Sequence, residues 1–404
     1  MTTAPPNPTD PLAFDHQPRT RLVFGAGTLA RLGELARDLG GRRTLLVTDR
    51  GIAAAGHADR ARAALEQAGL AVAVFDTVRE NPTTLDVGRC VEAARAHAAD
   101  LLVGLGGGSS MDTAKGCNFI LTNGGQMRDY WGGGKAAKPM LPLIAIPTTA
   151  GTGSECQSAT LIADEASHQK MACLDPKAAA RVALLDPELT VSQPAAVTAH
   201  TGVDALTHAV ESAVTRKRNA ISLMFSHEAF KRLVPALPRV LAAPNDLDAR
   251  GHMLLGAALA GLAVENSMLG AAHSCANPLT AHFNVVHGEA VGLMLPHVIR
   301  FNAAQDDATR LAYAELASAP EIACVSDGLS QAVEALIAHV EGLLDLAGIA
   351  RSLGEVGVAA DAVPMLAAEA ARQWTAQCNP RPVAATDFAG LFQAAFQPRG
   401  GGAT

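Results

Sequence analysis

The chain has 404 residues, 49% hydrophobic and 18% charged, so it can bury a sizeable core and is too apolar to be a disordered polypeptide. Its formal net charge of −7, without a Lys/Arg cluster, argues against a nucleic-acid partner, which needs a basic face. No apolar stretch reaches the length of a membrane span without polar interruption, and the cysteines (Cys90, Cys117, Cys156, Cys173, Cys275, Cys324 and Cys378) are scattered without a CxxC pair, which fits a reducing, cytoplasmic setting better than a disulfide framework.

Residues 1–18 are rich in proline and lack a basic segment followed by an apolar core, so they read as a disordered arm and not as a signal peptide. From about residue 20, short β-like runs alternate with helical stretches. "RTLLVTD" (43–49) is a buried strand ending in an acid, "HADRARAALEQAGL" (57–70) a helix and "AVAVFDTV" (71–78) a strand. "TTLDVGRCVEAARAHAA" (83–99) is a helix, "DLLVGLGGGSS" (100–110) a strand running into glycines, and "LPLIAIPTTAG" (141–151) a strand ending in a Thr/Gly turn. Such alternation predicts βαβ units and a mostly parallel sheet over residues 19–191. After a hinge near "DPELTVSQP" (186–194) the strand signal fades. Residues 195–214, 221–241, 252–268, 327–348 and 361–374 all space their apolar residues as helices do, so residues 192–404 are expected to be all-α.

"GLGGGSSMDTAKG" (104–116) follows a strand and opens a helix. Glycines let backbone N–H groups approach a phosphate, and the helix N-terminus adds a positive dipole end. The spacing is neither GxGxxG nor a Walker loop, and a tight turn of small residues is the plainer alternative. Asp49 ends an earlier strand, where an acid can accept hydrogen bonds from the adenosine ribose and repel a 2′-phosphate, favouring NAD over NADP. An ordinary turn or cap aspartate reads equally well there. "ENPTT" (80–84) and "IPTTAGTGSE" (146–155) are further strand-end loops, in which Thr148, Thr149 and Thr152 are candidate ligand contacts or caps.

"TGVDALTHAVE" (201–211) sets Asp204 and His208 four residues apart in an apolar helical run, so both point one way. "GAAHSCANPLTAHFNVVHGEA" (270–290) offers His273, His282 and His287. One carboxylate with two or three imidazoles suits Fe, Zn or Mn, whereas a lone histidine on such a face is more often a core residue.

From about residue 20 to 395, these motifs and their order resemble the iron-containing (group III) alcohol dehydrogenases: "VTD", "NPT", "GGGSSMDTAKG", "IPTTAGTGSE", "TGVDALTHAVES", "GAAHSCANPLTAHFNVVHGEAVGLMLPHVIRFN" and "NPRPVAATDFAGLF". The resemblance implies a dehydroquinate synthase-like fold, with an α/β dinucleotide-binding domain, an all-α metal-binding domain and substrate between them. Asp204, His208, His273 and His287 fall on the family's metal-ligand positions, implying Fe(II) or alternatively Zn(II). Gly107, Gly108, Ser109 and Asp112 fall in the pyrophosphate loop, and Thr148 and Thr149 on nicotinamide and phosphate contacts. Asp49 falls on the NAD-selecting position, and Asn81 and Lys170 on further cofactor contacts. Two positions depart from the family. Asn277 replaces a histidine often found four residues after the third ligand, with His282 as a possible substitute proton carrier. Ala159 replaces an asparagine near the substrate.

The reading is a metal-dependent, NAD-linked alcohol dehydrogenase acting on a small alcohol or aldehyde, a homodimer or larger. A maleylacetate-reductase-like enzyme or a sugar-acid or polyol oxidoreductase is the alternative within the family. A non-catalytic dinucleotide-binding protein is the alternative outside it.

Overall fold

Short, mostly apolar runs form nine strands among the described residues of the first of two units, residues 17–193. The computed structural model describes residues 14–166 and 169–399. In chain order the strands are β1 (Arg21–Phe24), β2 (Arg43–Val47), β3 (Ala71–Phe75), β4 (Leu101–Gly106), β5 (Gly132–Gly133), β6 (Leu143–Pro147), β7 (Ala159–Ala163), β8 (Lys170–Leu174) and β9 (Val182–Leu185). Six of them make a parallel sheet in the order β1-β9-β6-β4-β2-β3. A small second sheet, β5-β8-β7, pairs β7 and β8 antiparallel. The sequence pattern marks β2, β3, β4 and β6. It misses β5, β7, β8 and β9, which are two to five residues long and defined by their partners more than by periodicity.

Helices α1 (Leu32–Asp38), α2 (Arg50–Ala54), α3 (His57–Gln67), α4 (Thr84–Ala96) and α5 (Gly108–Asn123) cover this sheet. Side chains alternate across a strand, and the alternation sorts them between two cores. Leu46, Val103, Ile144 and Ile146 pack with Leu32 and Leu35 of α1 and Leu65 of α3. Leu45, Val47, Leu102 and Ala145 pack with Val87 and Cys90 of α4 and with Met111 and Ala114 of α5. Both faces are thus covered, as a parallel sheet requires. The chain steps from β2 out to β3, then returns through α4 to β4 on the other side of β2. That reversal leaves a crevice at the carboxyl ends of β2 and β4, where open α/β sheets bind ligands.

The second unit is helical: α6 (Ala195–Val214), α7 (Ala220–Ala242), α8 (Leu247–Glu265), α9 (Ala271–Phe283), α10 (His287–Ala303), α11 (Asp307–Ser318), α12 (Leu329–Leu346), α13 (Val363–Arg372) and α14 (Ala385–Ala394). Helix α6 packs against α7, α8, α10 and α11, and Val203, Leu206 and Val210 of α6 are buried. Helix α8 is long and apolar enough to cross a membrane by composition alone. Two thirds of it (67%) is buried inside the unit, packed on α6 and α7, so it is a core helix. The sequence pattern locates α6, α7, α8, α12 and α13; the structure adds α9, α10, α11 and α14.

Most of the arm expected over residues 1–18 (residues 1–13) lies outside the described residues. Residues 14–18 carry no helix or strand, and His16 belongs with the helical unit, its Nδ1 lying 2.7 Å from Asn266 Oδ1.

Candidate functional site

Helix α6 carries Asp204, His208 and Glu211 at spacing i, i+4, i+7, so all three share one buried face. His273 comes from the first turn of α9, and α10 begins with His287. Asp204 Oδ1 lies 3.4 Å from His273 Nε2, 3.5 Å from His208 Nε2 and 3.8 Å from His287 Nε2. The His208 and His273 rings stack at 4.8 Å between centroids, 14° apart. Close helix packing sets these distances: a Cβ on Gly288, the residue after His287, would fall 2.0 Å from the carbonyl oxygen of His200 on α6.

This arrangement passes a physical test for a divalent cation. Metal–ligand bonds of about 2.0–2.1 Å at tetrahedral angles put donor atoms about 3.4 Å apart, close to the observed spacing. Asp204 Oδ1 and His273 Nε2 are buried and make no hydrogen bond of acceptable geometry, a costly state unless a ligand satisfies them. Asp204 and Glu211 are both buried carboxylates, and neither meets a Lys or Arg among the described residues. Burial alone would raise the Asp204 carboxyl, but His208, His273 and His287 hold it well below the usual carboxylate range. Burial likewise opposes charge on His273, yet Glu211 and Asp204 push its ring up to about 9. The centre therefore favours positive charge. Because a carboxylate only accepts, His273 Nδ1 donates to Glu211 Oε2 at 2.6 Å, so Nε2, which faces Asp204, is the ring atom that takes up a proton or a cation. Glu211 Oε1 is fixed in turn by the Ala272 N–H at 2.7 Å. The sequence reading overlooked Glu211, although it lies in the same motif, one turn beyond His208.

Asn277 and its possible substitute His282 part company here. Asn277 lies one turn beyond His273 on α9 and donates from Nδ2 to Gln373 Oε1 at 3.0 Å. His282 is nine residues beyond His273, on the opposite side of the helix, and pairs with Glu369 of α13 at 2.8 Å. The structure does not bring His282 to the cluster.

The second cluster lies in the α/β unit. Strands β2, β4 and β6 are parallel neighbours, so their carboxyl ends deliver Thr48–Asp49, the glycine loop and Thr148–Thr149 side by side. Gly107 caps α5. Gly106 has φ +147°, and a Cβ there would fall 2.4 Å from Ser110 Oγ and 3.3 Å from Asp49 Oδ2. Thr149 packs on Gly107 and Thr152 on Gly108. The hydroxyls of Thr48, Ser110 and Thr148 are buried and have no hydrogen-bond partner among the described residues. A backbone cradle with unspent donors at a helix N-terminus suits a pyrophosphate. Asn81 adopts left-handed backbone (φ 51°) in the loop after β3. Lys170 opens β8, and Ser109 O accepts from Thr113 Oγ1.

Asp49 does two things at once. Its Oδ1 caps α2, accepting from the Ile52 N–H at 3.0 Å, while Oδ2 lies beside the glycine loop. Glycine is nearly as good an N-cap as aspartate, so Asp49→Gly separates the roles. We expect it to raise the NADP-to-NAD ratio of kcat/KM by roughly 10- to 100-fold, the worth of one charge-assisted bond plus relief of repulsion. An unchanged ratio in steady-state assays with both cofactors would reduce Asp49 to a cap.

Beneath the loops, Lys115 and Glu155 are both buried. Burial pushes the Glu155 carboxyl up to about 7, against the opposing pull of Lys115. A raised carboxyl means the folded state holds a proton that the unfolded chain loses near 4.5. Stability is therefore lost as pH rises from about 4.5 to about 7, by roughly 3 kcal/mol in total. Glu155→Gln, which carries no such penalty, should gain several degrees in Tm over wild type at pH 8 and much less at pH 5. A Tm difference that is the same at both pH values would sink this assignment.

A family model for iron-containing alcohol dehydrogenase matches residues 18–187, and one for the C-terminal domain of that family matches residues 198–396. The chain belongs to the iron-containing alcohol dehydrogenase family. It is 34% identical over 376 residues to the NAD-dependent methanol dehydrogenase of Bacillus methanolicus, covering 93% of this chain and 97% of that one. It is also 34% identical to the lactaldehyde reductase of Escherichia coli K12, over 92% of this chain and 97% of the relative. A crystal structure of 1,3-propanediol oxidoreductase superposes with a TM-score of 0.92 at 32% identity, covering 95% of this chain and all (100%) of that one. The present iron-containing alcohol dehydrogenase is thus an oxidoreductase of CH–OH groups, dependent on metal and linked to NAD.

Proposed function

We propose that Asp204, His208, His273 and His287 hold a divalent metal, Fe(II) or alternatively Zn(II), and that the substrate is a short alcohol or diol and its aldehyde. The observation that carries the metal assignment is the pair of buried carboxylates, Asp204 facing three imidazoles and Glu211 behind one of them, with no Lys or Arg beside them among the described residues. A bound metal would supply Lewis acidity to an alcohol oxygen, and the nicotinamide would supply the hydride acceptor as NAD and the hydride donor as NADH. Asp204 lends charge to the site. Glu211 orients His273 by accepting its Nδ1–H and makes the Nε2 that faces Asp204 a more basic donor to a cation. His287, one third exposed (34%), keeps the site in contact with solvent, unlike a sealed structural centre. Asn277 can orient a polar group but carries no proton.

For the cofactor, Gly107, Gly108, Ser109 and Asp112 are assigned to the pyrophosphate, Thr148, Thr149 and Thr152 to its nicotinamide end, and Asp49, Asn81 and Lys170 to further contacts. The relatives named for methanol, lactaldehyde and 1,3-propanediol support a small substrate. We further take the enzyme to work in the cytoplasm as a homodimer or larger. Six of its seven free cysteines are buried, and edge strand β1 pairs only with β9 among the described residues.

The test is NADH formation by anaerobically purified protein reconstituted with Fe(II) or Zn(II), over short alcohols, diols, polyols and hydroxy acids. Turnover on alcohols or diols that vanishes with chelator and returns with metal is expected. Turnover confined to sugar acids or oxo acids would overturn the substrate assignment. Full turnover in chelator would overturn the metal assignment.

A further inference from the structure

Lys115 sits in the third turn of α5, the helix that opens at the glycine loop, and its side chain is fully buried (0% exposed). Its ammonium lies 2.6 Å from Ser154 O, 2.7 Å from Gln157 O, 3.0 Å from Ala159 O and 3.0 Å from Ser154 Oγ. These are more oxygens than an ammonium has hydrogens to donate. Three are carbonyls converging from one short segment, the arrangement by which proteins strip and hold a monovalent cation. The same segment is tied to α5 twice more: Ser154 Oγ donates to Asp112 Oδ1 at 3.2 Å, and Thr160 Oγ1 donates to Asp112 O at 2.8 Å. Directly upstream, Thr152 packs against Gly108.

We infer that Lys115 is a tethered monovalent cation whose ammonium gathers the 154–159 carbonyls onto α5 and so sets the distance between the glycine loop and the Thr148–Thr152 loop. This rests on the cofactor reading above, since both loops are assigned there to NAD. Lys115 touches neither cofactor nor substrate on this account, so it is a positioning residue. Without a charge at this point the carbonyls repel one another, the segment relaxes away from α5, and the two halves of the cradle lose register.

The consequence is specific to small cations. Lys115→Ala removes the tether but leaves the oxygens, which ammonium or potassium can fill and tetramethylammonium cannot. In tetramethylammonium chloride the variant should bind NADH roughly 10- to 100-fold more weakly than wild type, with KM for NAD rising more than kcat falls. Equal ionic strength of ammonium or potassium chloride should restore both the NADH affinity and the Tm. Wild type should be indifferent to the choice of cation. Lys115→Met, which fills the space without charge, should bind NADH weakly in every salt. NADH affinity and Tm are read by fluorescence titration and thermal denaturation. Equal behaviour of Lys115→Ala in the three salts would overturn the inference, as would wild-type affinity in Lys115→Met. Failure of both variants to fold even in ammonium would also overturn it, making Lys115 a requirement of the whole unit instead of a local clamp. The cation dependence of Tm needs no cofactor. If wild type binds no NADH, the cofactor reading fails, while the Tm series still judges Lys115.

Discussion

Asp204→Ala is expected to emerge from purification without bound metal and to lose roughly 10³-fold or more in kcat, because Lewis-acid stabilisation supplies several kcal/mol at about 1.4 kcal/mol per tenfold in rate. The loss should be local. Asp204 offers one oxygen, Oδ1, that all three imidazole Nε2 atoms approach within 3.8 Å, so its removal takes the charge from the middle of the set. Folding should survive, since the variant deletes a buried charge instead of stranding one. The decisive readings are metal-to-protein stoichiometry and the Tm shift on adding Fe(II) or Zn(II). Wild type should gain stability with metal, by about 4 kcal/mol at a thousandfold excess over Kd. The variant should gain none. Wild-type metal content in Asp204→Ala would remove Asp204 from the ligand set.

Glu211→Gln tests the support behind the site. Glu211 accepts from two donors at once, His273 Nδ1–H and the Ala272 N–H. A glutamine has one accepting oxygen, so its amide group must face one of those donors. Either His273 turns or its tautomer changes, and a negative charge is lost in both cases. Metal affinity should fall 10- to 100-fold, the usual worth of a carboxylate behind a ligating histidine. Competition against a chelator of known affinity reads this directly. Retention of wild-type affinity would mean that Glu211 serves only to hold the start of α9.

The two variants also bracket what spacing along the chain can reveal. Asp204 and His208 are legible because a helix repeats every 3.6 residues, and polar groups at i and i+4 in an apolar run ask for a shared partner. Glu211 continues the same face at i+7 but reads as the polar end of an amphipathic helix until α9 is seen packing against it. Within "GAAHSCANPLTAHFNVVHGEA" all three histidines look alike. The fold keeps His273 in the first turn of α9 and His287 at the start of α10, and turns His282 away to Glu369. Lys115 was invisible in a different way. Its acceptors lie 39 to 44 residues downstream, on carbonyls that carry no sequence signal.

By itself the sequence determined the alternation of strands and helices up to about residue 190, the helical character of the rest, the glycine loop and the candidate ligand types. Those features depend on local periodicity and on side-chain chemistry, which a single chain displays. Only the tertiary structure decided the strand order that sets β2, β4 and β6 side by side, and the pairing of β7, β8 and β9. It alone decided the distances at which His208, His273 and His287 meet Asp204, the turn of His282 away to Glu369, and the burial of Lys115 and Glu155. Each of these is a contact between segments far apart in the chain. Such contacts are fixed by packing and by where buried polar groups find partners, and no local pattern records that.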